Sequence, residues 1–357
     1  MNKAYFLILS VIICITGCNN SSKNGTAKLS GAGATFPAPF YNIVFKNYTA
    51  AYGNNVTYGA IGSGGGIRSL SDKTVDFGAS DVFLSDEELK EFNSEVIHIP
   101  TALGAVVISY NLSDVKGLKL NSEIISDIYL GKIKNWNDDK IKAINPDIAL
   151  PDKAITAVYR SDGSGTTFVF SDYMSKTNED WKNMLGTGKA LNFNVGVAAK
   201  GNPGVAGVIA ETEGSIGYIG SEYALALNLP SAILQNSSGN YIEANETSIS
   251  AAANIDLPAD TRAMITNSSA AEAYPISTFT WIIAYKEQAY NNRSEDTAKA
   301  LVKLLNYITG DEGQQVAVKT HYAALPDAAK ERVKAIVGSM TYNGQKIIVE
   351  DSSNKTN

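Results

Sequence analysis

The stretch Arg160-Ser161-Asp162-Gly163-Ser164-Gly165-Thr166-Thr167 combines one guanidinium, two glycines and several hydroxyl groups in a single turn. Residues 154–159 before it alternate like a strand, and residues 166–174 suit a helix. A turn of this kind aims free backbone N–H groups and the positive end of the helix dipole at one point. The arginine adds a planar fork of donors that fits an oxyanion. The stretch is typical of an anion site or of an ordinary capped turn, in which Asp162 or Ser164 caps the helix.

Two further turns have the same character. Gly31-Ala32-Gly33-Ala34-Thr35-Phe36-Pro37 leads into a predicted helix, and Ile61-Gly62-Ser63-Gly64-Gly65-Gly66-Ile67 follows a predicted strand at residues 56–60. The apolar face of the first of these helices is predicted to consist of Phe40, Val44, Tyr48 and Ala51. Neither turn fits a nucleotide-binding motif. Each of these sequences alone is also typical of an ordinary turn with no ligand. Three donor-rich turns between strand and helix together, however, favour a site for a small anion that is bound without a metal.

Six runs of sequence carry a resemblance to a known family. They are Gly31-Ala-Gly-Ala-Thr-Phe-Pro-Ala-Pro39, Val75-Asp-Phe-Gly-Ala-Ser-Asp81, Asp127-Ile-Tyr-Leu-Gly-Lys-Ile133, Asp162-Gly-Ser-Gly-Thr166, Gly214-Ser-Ile-Gly-Tyr218 and Tyr322-Ala-Ala-Leu-Pro326. With these runs in order from about residue 29 to about residue 348, the chain resembles the phosphate-binding proteins of bacterial high-affinity phosphate uptake systems, which are ABC transporters. The resemblance implies a receptor that binds inorganic phosphate and hands it to a permease.

The resemblance also implies a set of phosphate-binding residues. They are Thr35, Phe36 (through its backbone N–H), Ser63, Asp81, Arg160, Ser164, Gly165 and Thr166. Asp81 matches the carboxylate that accepts the proton of phosphate, and Asp162 matches the aspartate that pairs with the arginine. One departure is visible, because the family commonly has a second serine where this chain has Gly64.

Length and element order favour a two-domain α/β protein. A chain of 357 residues exceeds what one hydrophobic core usually organises, and strand-like and helix-like segments alternate along it. The resemblance implies a two-lobed periplasmic-binding-protein fold of type II, with a ligand cleft between lobes joined by a two-stranded hinge. It places residues 29–101 and 275–348 in one lobe and residues 102–274 in the other. A ligand that touches both lobes would favour the closed form.

The first residues read as a lipoprotein leader. Lys3 supplies a short positive region, residues 4–15 are apolar but too short to span a bilayer, and Ile15-Thr16-Gly17-Cys18 resembles a lipoprotein processing box. We therefore expect a signal peptide over residues 1–17, lipid on Cys18, a tether over residues 18–28 and a disordered tail over residues 349–357. The alternative is a plain secretory signal with an incidental cysteine.

Charge and residue content exclude several classes of function. Removal of the leader leaves 29 basic and 36 acidic residues, a net charge of −7, which argues against nucleic-acid binding. The only histidines, His98 and His321, have no second histidine at metal-ligand spacing, and the turn around Ser164 lacks the GxSxG pattern. We expect no metal, no cofactor and no catalysis.

The sequence therefore predicts a monomeric, lipid-anchored phosphate receptor of the periplasm or cell envelope, with permease subunits of the inner membrane as its partners. Three alternatives stay open at this point. The same fold can bind another tetrahedral oxyanion, a surface phosphomonoesterase can hold phosphate as its product, and a surface interaction protein can retain a vestigial site.

Overall fold

The structure, a computed structural model, describes residues 27–349, which form thirteen strands and thirteen helices. The strands are β1 (Lys28–Gly33), β2 (Asn55–Ala60), β3 (Phe77–Ser80), β4 (Val96–Tyr110), β5 (Lys119–Leu120), β6 (Thr156–Arg160), β7 (Val197–Ala199), β8 (Ser215–Gly220), β9 (Ile233–Gln235), β10 (Tyr241–Ile242), β11 (Ser277–Tyr285), β12 (Thr341–Tyr342) and β13 (Gln345–Lys346). The helices are α1 (Ala38–Tyr52), α2 (Ser63–Ser71), α3 (Asp86–Lys90), α4 (Ser122–Tyr129), α5 (Asp139–Ile144), α6 (Gly165–Thr177), α7 (Glu179–Met184), α8 (Gly201–Glu211), α9 (Ser221–Ala226), α10 (Glu246–Ala252), α11 (Glu295–Thr309), α12 (Asp311–Lys319) and α13 (Asp327–Val337).

The predicted leader, Cys18 and almost all of the predicted tail lie outside the described residues. The predicted tether is described only at Ala27 and Lys28, and Lys28 already belongs to β1. Within residues 27–349, no helix combines the length and apolar character that crossing a bilayer requires.

Eight strands form the main sheet, in the order β2-β1-β3-β11-β4-β8-β6-β7. At one side, β1 is parallel to β2 and β3, and at the other side β6 is parallel to β7 and β8. The central strands run antiparallel to their neighbours, since β11 pairs with β3 and β4, and β4 pairs with β8. Helices between the strands complete a mixed α/β architecture, which confirms the predicted fold class.

Strand β4 joins the two sides of this sheet. Its residues 96–105 pair with β11, and its residues 106–110 pair with β8. The returning chain crosses at the same level, because the N–H of Val106 donates to the carbonyl of Ile276 at 2.9 Å. We call residues 27–105 with 276–349 the first half and residues 106–275 the second half. They differ by a few residues from the predicted lobes, whose division into separate domains stays a prediction.

The apolar pattern of the sequence accounts for the buried faces of the elements. Every residue of β4 and of β11 is buried, as expected for central strands covered on both faces. Of the predicted apolar face of α1, Phe40, Val44 and Tyr48 are buried, but the prediction for Ala51 is wrong, because Ala51 lies exposed in the last turn.

Helix α2 packs unusually close to the sheet. A Cβ atom at Gly66 would lie 2.4 Å from the Cα of Gly33 and 2.5 Å from the carbonyl oxygen of Ala32, so only glycine fits between α2 and β1. The glycines of the second predicted turn therefore let the start of α2 reach the end of β1.

Candidate functional site

Three predicted site residues of the first half follow three neighbouring strands. Thr35 comes after β1, Ser63 begins α2 directly after β2, and Asp81 comes after β3. Because these strands are parallel, their carboxyl ends meet at one edge of the sheet, where ligands bind in open α/β sheets. All three residues are buried.

The predicted residues of the second half lie on the turn between β6 and α6. Arg160 is the last residue of β6, and Gly165 and Thr166 open α6. Ser164 caps this helix, because its side chain accepts the N–H of Thr167 at 3.0 Å. The turn therefore caps the N-terminus of α6, which is one of the two roles that the sequence predicts for it. It also lines the candidate site.

The buried Arg160 and the half-buried Asp162 form a bidentate pair. The Nε of Arg160 donates to Oδ1 of Asp162 at 2.8 Å and Nη2 donates to Oδ2 at 2.6 Å. The N–H of Gly201 donates to the same Oδ1 at 2.9 Å. Burial acts to raise the pKa of Asp162, but the guanidinium and this N–H outweigh it and hold the pKa below its usual value. The third nitrogen, Nη1 of Arg160, is buried and has no hydrogen-bond partner within residues 27–349.

The two halves touch through these turns. The N–H of Gly165 donates to Oγ of Ser63 at 3.1 Å, and the N–H of Gly64 donates to the carbonyl of Gly163 at 2.9 Å. A Cβ atom at Gly64 would lie 3.3 Å from the Cα of Gly163. This chain therefore has glycine, where the family commonly has a serine, at a position where two backbones come close together. Asp81 and Arg160 also lie near enough for the guanidinium to favour the ionised carboxylate.

Asp81 has a perturbed environment. Its Oδ1 accepts the hydroxyl of Thr280 at 2.9 Å, from the neighbouring strand β11. Burial raises the pKa of Asp81 to about 7, against the opposing effects of Thr280, Arg160 and Thr166. The carboxyl group can therefore hold or release a proton near neutral pH.

The ring of Phe36 is buried in the core, so only its backbone is available to the candidate site. The ring is buried against Tyr322 at a centroid distance of 5.9 Å, and it fills the space above Gly104. The carbonyl of Phe36 accepts the hydroxyl of Tyr322 at 2.5 Å. The N–H of Phe36 has no hydrogen-bond acceptor within the described residues, which leaves it available at the mouth of α1.

Asn202 and Tyr223 also contact the predicted site residues, although the sequence motifs did not predict them. Both the N–H and Nδ2 of Asn202 donate to Oγ1 of Thr35 at 3.0 Å, and Nδ2 also reaches Oγ1 of Thr166 at 3.1 Å. The hydroxyl of Tyr223 donates to the carbonyl of Thr35 at 2.5 Å. Asn202 opens α8 after β7. The run Gly201-Asn202-Pro203 is therefore a fourth turn between strand and helix, a signal that was present in the sequence.

Glu222, at the start of α9, is a third residue beside the site that the sequence motifs did not predict. It is 4% exposed, and neither of its carboxyl oxygens has a hydrogen-bond partner within residues 27–349. Burial raises the pKa of Glu222 to about 8, and Asp81 adds to the increase. It faces the Tyr322 hydroxyl and Asp81.

The arrangement is suited to holding an anion rather than to cleaving a bond. Helices α2, α6 and α8 begin here, so their N-terminal N–H groups and dipoles favour negative charge. His98 lies within β4, where its Nε2 accepts the N–H of Leu84 at 3.0 Å, and burial lowers its pKa to about 4. In the part of the chain that the structure describes, no group of three or more His, Cys, Asp or Glu side chains is arranged to hold a metal.

Comparison with known proteins identifies relatives over most of the chain. The profile of the PBP superfamily domain matches residues 19–312. The phosphate-binding protein PstS of Xylella fastidiosa strain 9a5c is 36% identical over 365 residues, covering 93% of this chain and 98% of that protein. The phosphate-binding protein PstS of Haemophilus influenzae is 36% identical over 312 residues, covering 86% of this chain and 91% of that protein.

Solved structures share the fold. A phosphate-binding protein from Stenotrophomonas maltophilia superposes with a TM-score of 0.67 at 19% identity, covering 87% of this chain and 93% of that chain. An ABC-type phosphate transport receptor from Vibrio cholerae superposes with a TM-score of 0.53 at 17% identity, covering 84% of this chain and 100% of that chain. At this level of identity the likeness concerns the fold.

Proposed function

Because the chain belongs to the PBP superfamily and, within it, to the family of phosphate-binding PstS proteins, we propose that it binds inorganic phosphate between the two halves of its sheet and delivers it to the permease of an ABC transporter. The observation that carries this proposal is one buried site that holds both anion donors and a carboxyl group. Thr35, Ser63 and Arg160 supply donors, and Asp81 supplies the carboxyl group.

The donors come from both halves, so the bound ion would join them. The N–H of Phe36 and the hydroxyls of Thr35 and Ser63 lie in the first half. Arg160 and the start of α6 at Ser164, Gly165 and Thr166 lie in the second half. Charge-assisted hydrogen bonds from Arg160 and the helix starts would stabilise the closed arrangement.

The position of Asp81 favours the binding of phosphate over that of other tetrahedral oxyanions. Phosphate carries at least one proton at neutral pH and can donate it to the Asp81 carboxylate, whereas sulfate has no proton to donate. Above about pH 7, where the Asp81 carboxyl group is ionised, sulfate would face it as an unpaired like charge, which is the kind of mismatch that discriminates strongly. A carboxyl group in this position is otherwise out of place beside an anion.

Titration calorimetry of ligand-stripped protein with phosphate, sulfate and arsenate tests the proposal. We expect tight binding of phosphate, comparable binding of the similarly protonated arsenate, and weak or no binding of sulfate. Tight sulfate binding would contradict the role of Asp81, and absence of phosphate binding would contradict the function itself.

We further propose that the protein binds phosphate without cleaving phosphate esters, since among residues 27–349 no serine of the site is hydrogen-bonded to a histidine that could activate it. The side chain of Ser164 already caps α6, because it accepts the N–H of Thr167. The measurement is turnover of p-nitrophenyl phosphate with and without added divalent metal. Turnover that co-purifies with the protein and disappears in Ser164→Ala would favour a phosphomonoesterase instead.

The leader motivates a proposal about location. We infer that Cys18 carries lipid and that residues 18–28 tether two lobes, residues 29–101 with 275–348 and residues 102–274, as a monomer in the periplasm or cell envelope. More than one acyl chain is needed for stable anchoring. Cys18→Ala should abolish lipid labelling, while a fragment that starts near Ala27 should keep phosphate binding. A mature wild-type N-terminus without lipid mass would show a plain secretory signal.

A further inference from the structure

Glu222 is a buried acidic side chain that none of the proposed phosphate contacts uses. It begins α9 in the second half, directly after β8, and is 4% exposed. Its side chain folds back over the preceding strand end, because a Cβ atom at Gly220 would lie 2.1 Å from Oε1 of Glu222. A buried carboxylate is costly unless it is paired or hydrogen-bonded.

Burial raises the pKa of Glu222 and outweighs the N–H of Glu222 itself and the hydroxyls of Tyr322 and Ser221, which lie near the carboxyl group and favour its ionised form. Neither of its carboxyl oxygens has a hydrogen-bond partner within residues 27–349. The titratable and charged groups around it are Asp81, Tyr322 and Tyr223, with Arg160 beyond them. Arg160 already pairs with Asp162 through two of its nitrogens. Two acidic groups therefore share this pocket with one cation, and that cation is already paired.

Tyr322 shows which form of Glu222 the pocket accommodates. Its hydroxyl faces Glu222 but donates its only proton to the carbonyl of Phe36 at 2.5 Å. While that proton stays on the Phe36 carbonyl, the Tyr322 oxygen can only accept from Glu222, and a protonated carboxyl group supplies the matching donor. Tyr223, the next residue, donates in the same way to the carbonyl of Thr35 at 2.5 Å. Both tyrosine hydroxyls thus donate their protons to backbone carbonyls of the loop that precedes α1.

We propose that Glu222 takes up a proton when the two halves close on phosphate, so that it enters the closed site in its neutral acid form. The inference rests on the proposed function, because the ion brings further negative charge beside Asp81. When the halves separate, Tyr322 and Asp81 of the first half withdraw from Glu222. The carboxyl group then ionises as an ordinary glutamate does, at a pKa of about 4.3.

The sign of the resulting pH dependence follows from linkage. Burial raises the pKa of Glu222 to about 8 in the described arrangement, so the closed form binds one proton more than the open form between about pH 4 and pH 8. Glu222 therefore weakens phosphate binding as the pH rises through this window, by about tenfold per pH unit at most, and its effect levels off above pH 8.

The test compares wild type with Glu222→Gln, since the amide matches the acid form in shape and charge but cannot titrate. Phosphate is titrated by calorimetry at several values between pH 6 and pH 9, in pairs of buffers that differ in ionisation enthalpy. At pH 7 we expect wild type to take up about one proton more per bound phosphate than the variant. The ratio of the variant's affinity to that of wild type should rise by up to about tenfold per pH unit and level off above pH 8. Glu211→Gln, an exposed glutamate at the end of α8, is the matched control and should behave as wild type.

The outcomes of these titrations distinguish failure of the Glu222 proposal from failure of the proposed function. Equal proton uptake by wild type and Glu222→Gln at pH 7 would overturn the proposal while leaving phosphate binding intact. A Gln variant that does not fold would also count against it, because a closed pocket that holds the neutral acid should also accommodate the neutral amide. Failure of both proteins and of the Glu211→Gln control to bind phosphate would overturn the proposed function itself.

Discussion

Asp81 combines burial with a position next to anion donors. If it accepts the proton of phosphate, Asp81→Asn removes the acceptor and the like charge that opposes sulfate. We expect the ratio of phosphate affinity to sulfate affinity, which sites of this kind can raise to roughly 10⁴, to fall steeply in the variant. Competition titrations with both ions measure the ratio. A ratio that stays as high as in wild type would remove Asp81 from the role of proton acceptor.

The same residue makes the stability of the protein depend on pH. Burial raises the pKa of Asp81 to about 7, above the ordinary aspartate value of about 3.9, so the folded protein binds a proton that the unfolded chain releases between these values. This stabilisation is fully present below pH 4 and is lost as the pH rises through 7. Asp81→Asn should therefore have a higher Tm than wild type at pH 8, with the difference shrinking toward pH 4. Thermal unfolding of ligand-free protein at the two pH values checks this, and a constant difference would contradict it.

Arg160 has one nitrogen to spare for the ligand. In Arg160→Ala the charge-assisted contact from Nη1 is lost and Asp162 is left half-buried without its partner, which together cost about 2–5 kcal/mol of binding free energy. Asp162→Asn keeps the guanidinium and should have a smaller effect. Calorimetric titration of both variants with phosphate measures the order. Unchanged affinity in Arg160→Ala would reduce the residue to a purely structural partner of Asp162.

At the scale of elements, the N-terminus of α6 packs so closely against the first half that no further side-chain atom fits between them. A Cβ atom at Gly165 would lie 2.5 Å from Oγ of Ser63 and 2.8 Å from the N–H nitrogen of Asp81. Gly165→Ala should therefore hold the halves apart and weaken phosphate binding by at least tenfold, while each half keeps its own fold.

Gly207→Ala is the matched control for that prediction, because a Cβ atom at Gly207 in α8 would have no neighbour within 4 Å. Alanine in a helix interior is favoured over glycine by about 1 kcal/mol, so this control should unfold at a higher temperature and bind phosphate as wild type does. Normal affinity in Gly165→Ala would mean that the start of α6 can move without cost.

The elements also show what the sequence could and could not predict. The residue pattern predicts strands at 96–100 and at 105–110 but none across Thr101-Ala102-Leu103-Gly104 between them. The structure makes one strand of them, since Gly104 leaves room for the ring of Phe36 and pairing with β11 continues through it. This contact joins residues far apart in the chain, which no local pattern contains.

The site was predictable wherever its residues lie in a glycine-rich turn. Thr35, Ser63 and Arg160 stand in such turns, and the structure brings them together with Asp81. Asn202 stood in a similar turn and was overlooked. Glu222 had no signal, because its burial depends on Tyr322, which is 100 positions away in the sequence and reaches it only through folding.

At the scale of the whole molecule, an ion pair joins the halves outside the site. Glu88 on α3 contacts Lys189, whose carbonyl accepts the N–H of Ser164 at 2.8 Å, so the pair connects α3 to the turn before α6. Both side chains are partly exposed, and such pairs contribute about 0.2–1 kcal/mol. Lys189→Met should weaken phosphate binding by up to about fivefold and make it less sensitive to added salt.

Lys182→Met provides the control for the ion pair, since Lys182 pairs with Glu179 within α7 and does not link the halves. We expect this variant to keep the affinity and salt dependence of wild type. If Lys189→Met and Lys182→Met bind phosphate alike across salt concentrations, the Glu88 pair has no part in closure.

The position of β11 has a consequence for the order in which the chain is made. This strand lies between β3 and β4, yet Thr278 at its start is 197 residues from Asp81, which follows β3. As the polypeptide leaves the ribosome, β3 and β4 have nothing to hold them side by side until residues 277–285 have been synthesised. The N-terminal strands must wait until about residue 285 has been synthesised before their sheet is complete. A chain that leaves the cytoplasm in an unfolded state would benefit from this delay, because a segment made late, residues 277–285, is the one that locks the first strands into place.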